Sequence, residues 1–193
     1  MSQYVLGINS SGSPTSVALL KDGEIIAASG EERFTRIKRD DSFPHNAINF
    51  CLKEAGINFS DLSLISSGWN PSYYMKKSTN STTQSHKEKG MYLYYVINEL
   101  GSAPYSNSVS HIDQNLIFDD GSKIPIEYTD HHLSHLAYSY YQSGFDSALC
   151  VVLDGYGEIH TGGIFTINND KIETISLAKF PHSIGMFYSA ITQ

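Results

Sequence analysis

The stretch Ala148-Leu149-Cys150-Val151-Val152-Leu153-Asp154-Gly155-Tyr156-Gly157-Glu158 decides the fold. Its unbroken apolar run predicts a buried strand, and Asp154 stands where that strand passes into a loop carrying two glycines. Beyond the loop, Gly162 to Ile167 predicts a second strand, Asn168-Asn169-Asp170 a turn, and Lys171 to Ala178 a third strand. The opening of the chain has the same order. Tyr4 to Ser10 is an apolar run, Ser16 to Leu20 a second, Asp22-Gly23 the centre of a hairpin turn, and Glu24 to Gly30 the third run. The two copies start about 145 residues apart, with Asn9 and Asp154 at the same place in each.

Two copies of a three-strand meander, each with a polar loop after its first strand, describe the actin-like ATPase architecture (ASKHA, RNase H-like). In that architecture the two loops face each other across a cleft and clasp phosphates. The expected class is therefore α/β, a mixed sheet with flanking helices. Residues 1–145 are expected to form the first lobe and 146–193 the start of the second, truncated within a helix at Ser183 to Gln193. The chain then reads as the N-terminal portion of a longer protein.

Between the copies, Pro44 starts a helix whose apolar face is Ala47, Ile48, Phe50, Cys51, Leu52 and Ala55, and Gly56 stops it. Leu62 to Ser66 predicts a buried strand, and Asn70 to Lys89 a long polar loop. Met91 to Leu100 predicts a helix; Val109 to Ile112 and Lys123 to Tyr128 predict strands, the second after an Asp120-Gly121 turn. A helix from Asp130 to Gln142 ends near Gly144, with Leu133, Leu136, Ala137, Tyr140 and Tyr141 as its core positions.

Composition removes several function classes. With 193 residues, 40% of them hydrophobic, the chain can bury a core of one domain or a domain and a piece of another. A net charge of −7 leaves no basic excess to displace counterions from nucleic acid. No apolar run reaches the ~18 residues that span a bilayer. The N-terminus enters Tyr4-Val5-Leu6 without the pattern of a signal peptide. Cys51 and Cys150 lie in apolar contexts and read as buried thiols of a reducing compartment, so the expected location is cytoplasmic. The 13 tyrosines fit an aromatic-rich core or a stacking surface.

The candidate chemistry lies in Asp130-His131-His132-Leu133-Ser134-His135 and in the Asp154 loop. His131 and His135 are four apart and stand on one helix face. The positive helix end keeps a first-turn imidazole neutral and its lone pair free for a metal. From spacing alone His132 with His135 is a rival pair, and a surface or capping role is the plain reading of both. Asp154 has the usual placement of a metal or phosphate carboxylate at a strand's C-terminal end, and Gly155 and Gly157 allow positive φ and close approach of backbone to an anion. Read without the histidines, it is an ordinary strand-to-turn Asp-Gly. The segment Asn9 to Thr15, including Ser10 and Ser11, offers amides and hydroxyls to phosphate oxygens, or is a small-residue hairpin. Arg33, Arg36, Lys38 and Arg39 suit phosphate, or form a solvated face balanced by Glu31, Glu32, Asp40 and Asp41.

In these residues the chain resembles the carbamoyltransferase family of nodulation protein NodU and the cephalosporin and tobramycin carbamoyltransferases. The matching stretches are Leu6-Gly7-Ile8-Asn9, Asp22-Gly23-Glu24-Ile25, Glu31 to Lys38, Phe43-Pro44, Asp130 to His135, Asp154 to Glu158, and Ser183 to Ser189, in the same order along nearly the whole chain. The resemblance implies transfer of a carbamoyl group from carbamoyl phosphate, by way of an ATP-dependent carbamoyladenylate, to a hydroxyl of a small-molecule acceptor. The transfer domain is similar to the threonylcarbamoyl-transfer proteins, and a YrdC-like domain would make the adenylate. Carried over by motif, His131, His135 and Asp154 look like ligands of iron, or of another divalent metal such as zinc, with a further Asp expected beyond this chain. Asn9, Ser10, Ser11, Gly155, Gly157 and Glu158 look like contacts to ATP or the adenylate, with Mg²⁺ as a further cofactor. Asp154 and Arg33 look like catalytic residues. Where the family carries a His shortly after the Asn and then an Asp, this chain has Gly12 and Pro14; His160 is a candidate substitute. The expected partners are carbamoyl phosphate, ATP and the acceptor, with no nucleic acid and no membrane, and this chain alone is expected not to turn over. The alternatives are a sugar kinase-like phosphotransferase of the same superfold and a non-catalytic nucleotide-binding relative.

Overall fold

The computed structural model describes residues 2–10, 14–70, 113–117 and 123–192. They fall into two compact units, Met1–Thr129 and Asp130–Gln193. The predicted helix at Met91 to Leu100, the strand at Val109 to Ile112, the Asp120-Gly121 turn and the polar loop after Asn70 lie outside the described residues.

In the first unit, β1 (Tyr4–Asn9), β2 (Ser16–Lys21) and β3 (Glu24–Gly30) form the expected antiparallel meander. Its hairpin turns at Asp22 (φ 52°) and Gly23 (φ 91°), the two positive φ values that a tight, twist-matched turn requires. The Asp22 carboxylate also accepts from Gln3 N at 2.8 Å, tying the turn to the start of β1. The meander continues into a mixed sheet of order β3-β2-β1-β4-β6-β5. β4 (Leu64–Ser67) runs parallel to β1, β6 (Lys123–Tyr128) parallel to β4, and β5 (Asp113–Ile117) antiparallel on the edge. A short helix α1 (Glu32–Thr35) and the longer α2 (His45–Ala55) connect β3 to β4. Alternate residues of β1 and β2 (Leu6, Ile8, Val17, Leu19) meet the α2 stripe Ala47, Ile48, Cys51 and Leu52 in one core. Gly56 ends α2 in the left-handed conformation at φ 66°.

The N-terminus of α2 has no cap of its own, because Pro44 occupies that place. Glu31 supplies it from α1's leading edge. Its side chain is 1% exposed, and its carboxylate accepts from Asn46 N (3.2 Å), Asn46 Nδ2 (2.6 Å) and Ala47 N (2.9 Å). An anion placed on a helix N-terminus is favourable both as a hydrogen-bond acceptor and against the helix dipole. Glu31 is therefore not part of a solvated charged face. Arg33, Arg36, Lys38 and Arg39 of the same stretch are exposed.

The second unit holds α3 (His131–Ser143), β7 (Ser147–Leu153), β8 (His160–Asn168), β9 (Lys171–Lys179) and α4 (Ile184–Thr192). The strands form an antiparallel meander in the order β7-β8-β9, the repeat expected from the sequence. The match extends to a defect in the pairing. The β2/β3 ladder steps from Leu19–Ala27 to Leu20–Ile25, leaving Ile26 as the extra residue. The β8/β9 ladder steps from Ile164–Ser176 to Phe165–Thr174, leaving Ile175. Each third strand thus carries one bulge with an isoleucine in it.

Helix α3 packs its Leu136 and Tyr140 on Val152, Phe165 and Ile167. It belongs to the compact unit Asp130–Gln193. Two of its expected core residues face outward: Leu133 is 39% and Tyr141 62% exposed. Leu149, Val151 and Leu153 of β7 alternate with the buried side and are exposed.

Candidate metal centre

β7 ends at Leu153, and the next residue still touches the ladder, because Asp154 N donates to Thr161 O at 3.1 Å. The backbone therefore holds Asp154 at the sheet's end. Its Oδ1 accepts from Gly155 N at 2.6 Å, which turns Oδ2 toward the first turn of α3. That turn is built by Asp130, whose side chain caps the helix by accepting from Leu133 N at 3.0 Å. With the cap at 130, His131 and His135 fall on one face one turn apart.

His131 Nε2 lies 2.9 Å from Asp154 Oδ2 and 3.1 Å from His135 Nε2, and His135 Nε2 lies 3.7 Å from Asp154 Oδ2. The two rings meet edge to face, 4.6 Å between centroids. Metal bonds of ~2.0–2.2 Å place adjacent ligand atoms roughly 3.0–3.4 Å apart, so these three distances bracket the spacing of a metal's ligands. The proton count points the same way. A neutral imidazole nitrogen either donates or accepts. His131 Nε2 therefore faces two partners with one proton or one lone pair. A cation that takes all three lone pairs removes that conflict, and two imidazoles with a carboxylate suit zinc or iron. The donor set fits a divalent metal. His135 is 53% exposed, so the centre opens to solvent.

Hydrogen bonding and burial favour a charged Asp154 carboxylate and a neutral His135 ring. The His131 hydrogen bond, aided by Gly155 N and opposed by burial, holds the Asp154 carboxyl below its usual range. Burial first, then His131, lowers His135 below the ordinary histidine value against the pull of Asp154. Burial likewise lowers His132 and His160.

Two of the residues expected to contact phosphate, Glu158 and Gly157, make contacts within the second unit. Glu158 is 1% exposed, and both its oxygens lie 3.1 Å from His131 N, so it holds the helix start that presents His131. Gly157 does not have a positive φ, nor does Gly155. Gly157 is required because a Cβ there would stand 2.5 Å from His132 Cε1. Asn9 ends β1, and its Nδ2 donates to Pro14 O at 3.3 Å. Ser10 follows it, and Ser11 and Gly12 lie outside the described residues. Arg33 is exposed on α1 in the first unit, apart in sequence and in unit from the histidines. His160 begins β8 with its ring 6.4 Å from that of His132.

Two features of the site have little local signature in the sequence. His132 is turned inward, 2% exposed, with no hydrogen-bond partner for either ring nitrogen among the described residues. Its Nε2 lies 3.8 Å from Asp154 Oδ2. The second feature is the contact that the start of α4 makes with the Asp154 loop. Ser183 Oγ accepts from Met186 N at 3.0 Å and lies 2.7 Å from Gly155 O, and Gly185 N donates to Asp154 O at 3.2 Å. A Cβ on Gly185 would stand 2.4 Å from Gly155 N. A glycine inside a helix's first turn, where it costs stability, was the available signal for this close approach.

The family described as "Carbamoyltransferase N-terminus" matches residues 4–193. An uncharacterised protein of Synechocystis sp. is 33% identical over 98% of this chain, and the nodulation protein NolNO of Sinorhizobium fredii is 28% identical over 88% of it. The chain spans 31% and 23% of the length of these two relatives. Among solved structures, YeaZ from Pseudomonas aeruginosa is similar at a TM-score of 0.45 and 15% identity, over 93% of this chain and 68% of that one.

Proposed function

Because the chain belongs to the carbamoyltransferase N-terminus family, we propose that it is the metal-holding portion of a protein that transfers a carbamoyl group to a hydroxyl of a small-molecule acceptor. The carbamoyl group would come from carbamoyl phosphate through an ATP-dependent carbamoyladenylate. The reaction would take place in the cytoplasm, and among the described residues no helix is long and apolar enough to cross a membrane. The observation that carries the proposal is the convergence of His131 Nε2, His135 Nε2 and Asp154 Oδ2 at the start of one helix and the end of one strand.

In this reading His131, His135 and Asp154 hold iron or zinc. When bound, such an ion supplies a Lewis acid for the carbamoyl carbonyl or the adenylate phosphate. The chain's own residues set the geometry. Glu158 fixes the helix start through His131 N. Gly155 N fixes the Asp154 carboxylate, and the exposed edge of His135 leaves the centre reachable by substrate.

The test uses the full-length protein with labelled carbamoyl phosphate, ATP and a panel of sugar and polyol acceptors. Labelled carbamate ester that requires ATP, and that disappears in a His131→Ala, His135→Ala double variant, is the expected result. Transfer of the γ-phosphate of Mg·ATP to the acceptor, unchanged in the double variant, would favour a phosphotransferase instead.

A further inference from the structure

We infer that His132 is a positioning residue for Asp154: in the metal-loaded centre its Nε2–H closes onto Asp154 Oδ2 and holds the carboxylate in its ligating orientation. The inference rests on the metal reading of His131, His135 and Asp154. It starts from an anomaly. Buried polar atoms almost always have partners, and an unpaired one costs free energy. Yet His132 is 2% exposed and neither ring nitrogen has a hydrogen-bond partner among the described residues. The ring is not loosely placed. It lies against the backbone of Gly157, where any Cβ would meet Cε1 at 2.5 Å, Nδ1 at 2.9 Å and Nε2 at 3.2 Å. The loop has given up a side chain to accommodate it.

The direction of the ring supplies the rest. His132 Nε2 is 3.8 Å from Asp154 Oδ2, too long for a hydrogen bond and short enough to become one by a small closure. Without metal, Oδ2 already has a partner in His131 Nε2 at 2.9 Å. A metal changes this proton count. Once His131 gives its lone pair to the ion, it has no proton to give Oδ2. That oxygen then has one lone pair on the metal and one free. His132 Nε2–H, with no other use, is the donor placed to take it. Carboxylate ligands are commonly held by such an outer hydrogen bond. A packing role alone leaves the aim of Nε2 at Asp154 unaccounted for.

The experiment measures Zn²⁺ affinity of the full-length protein by competition with a chromophoric chelator. The variants are His132→Phe, His132→Gln, and the double His131→Ala, His135→Ala. Gln offers an amide N–H close to where Nε2 stands; Phe keeps the bulk without a donor. The expected result is a loss of ~10–100-fold in the Phe variant, the cost of removing an outer partner, with most of it recovered by Gln. If Phe binds Zn²⁺ like the parent, or Gln is as weak as Phe, the inference is overturned. Should the Phe variant not fold, His132→Met takes its place against Gln. If the double Ala variant keeps parental affinity, the metal reading itself fails. That outcome is separate from a failure confined to His132.

Discussion

The two meanders share strand order, turn chemistry and even the position of a bulge, but their first strands end differently. β1 ends at Asn9, whose amide turns back onto its own loop at Pro14 O. β7 ends against Asp154, whose carboxylate reaches a different element, the histidine face of α3. The buried polar groups of the two units differ in the same sense. Glu31 in the first unit is fully satisfied by three donors of α2. His132 in the second is equally buried and satisfied by none among the described residues. A repeated scaffold thus ends its first strand on a local backbone contact in one copy and on a histidine–carboxylate cluster in the other. What sets the second copy apart is a buried imidazole whose polar atoms the described residues leave unpaired.

The largest expected effect separates the two strand ends. Asp154→Asn removes an anionic ligand and should weaken Zn²⁺ binding by more than the ~100-fold that loss of an outer partner costs. Asn9→Ala, tested by the same chelator competition, should leave affinity unchanged. Comparable losses in both would break the distinction.

The next effect sharpens it on stability. Glu31→Ala leaves buried helix-end donors without an acceptor and should cost about 1–3 kcal/mol in denaturant unfolding, with metal affinity unaltered. Gly157→Ala should cost a similar ~1–3 kcal/mol by overpacking against His132, whereas Gly155→Ala, which meets nothing within 4 Å, should stay within about 0.5 kcal/mol. Equal costs at the two glycines would contradict the assigned contact.

The smallest effect is pH dependence of the metal-free protein. His132 and His135 are held below the ordinary histidine value by burial. Below about pH 6.5 the unfolded chain takes up protons that these folded rings refuse, so stability falls as pH drops through that window. Asp154, lowered by the His131 hydrogen bond, contributes stability above about pH 3.9 that is lost as pH falls further. Denaturant midpoints across pH 3 to 8 read both. A midpoint that rises on acidification from pH 7 to 5 would have the wrong sign.

Much of this was legible from residue order. Apolar runs bounded by Asp-Gly and Asn-Asp turns gave both meanders, because strand period and turn chemistry are local. Helical spacing puts His131 and His135 on one face but leaves His132 with His135 as a rival pair, and the family resemblance is what favours the first. The inward turn of His132 was not legible. Adjacent helix residues point about 100° apart, and which one turns inward depends on what lies opposite, here Gly157 far along the chain. Glu31 sat in a run of charges and read as solvated, since its donors belong to Asn46 and Ala47. The contacts of Glu158 and Gly157 are not local either: their partners, His131 N and the His132 ring, come from another element.

X-ray absorption at the metal edge of the full-length protein reads the ligands at His131, His135 and Asp154. The expected first coordination sphere has two imidazole nitrogens and at least one carboxylate oxygen, reduced to a single imidazole in His135→Ala. A sulfur-containing sphere, or one unchanged by His135→Ala, would contradict it.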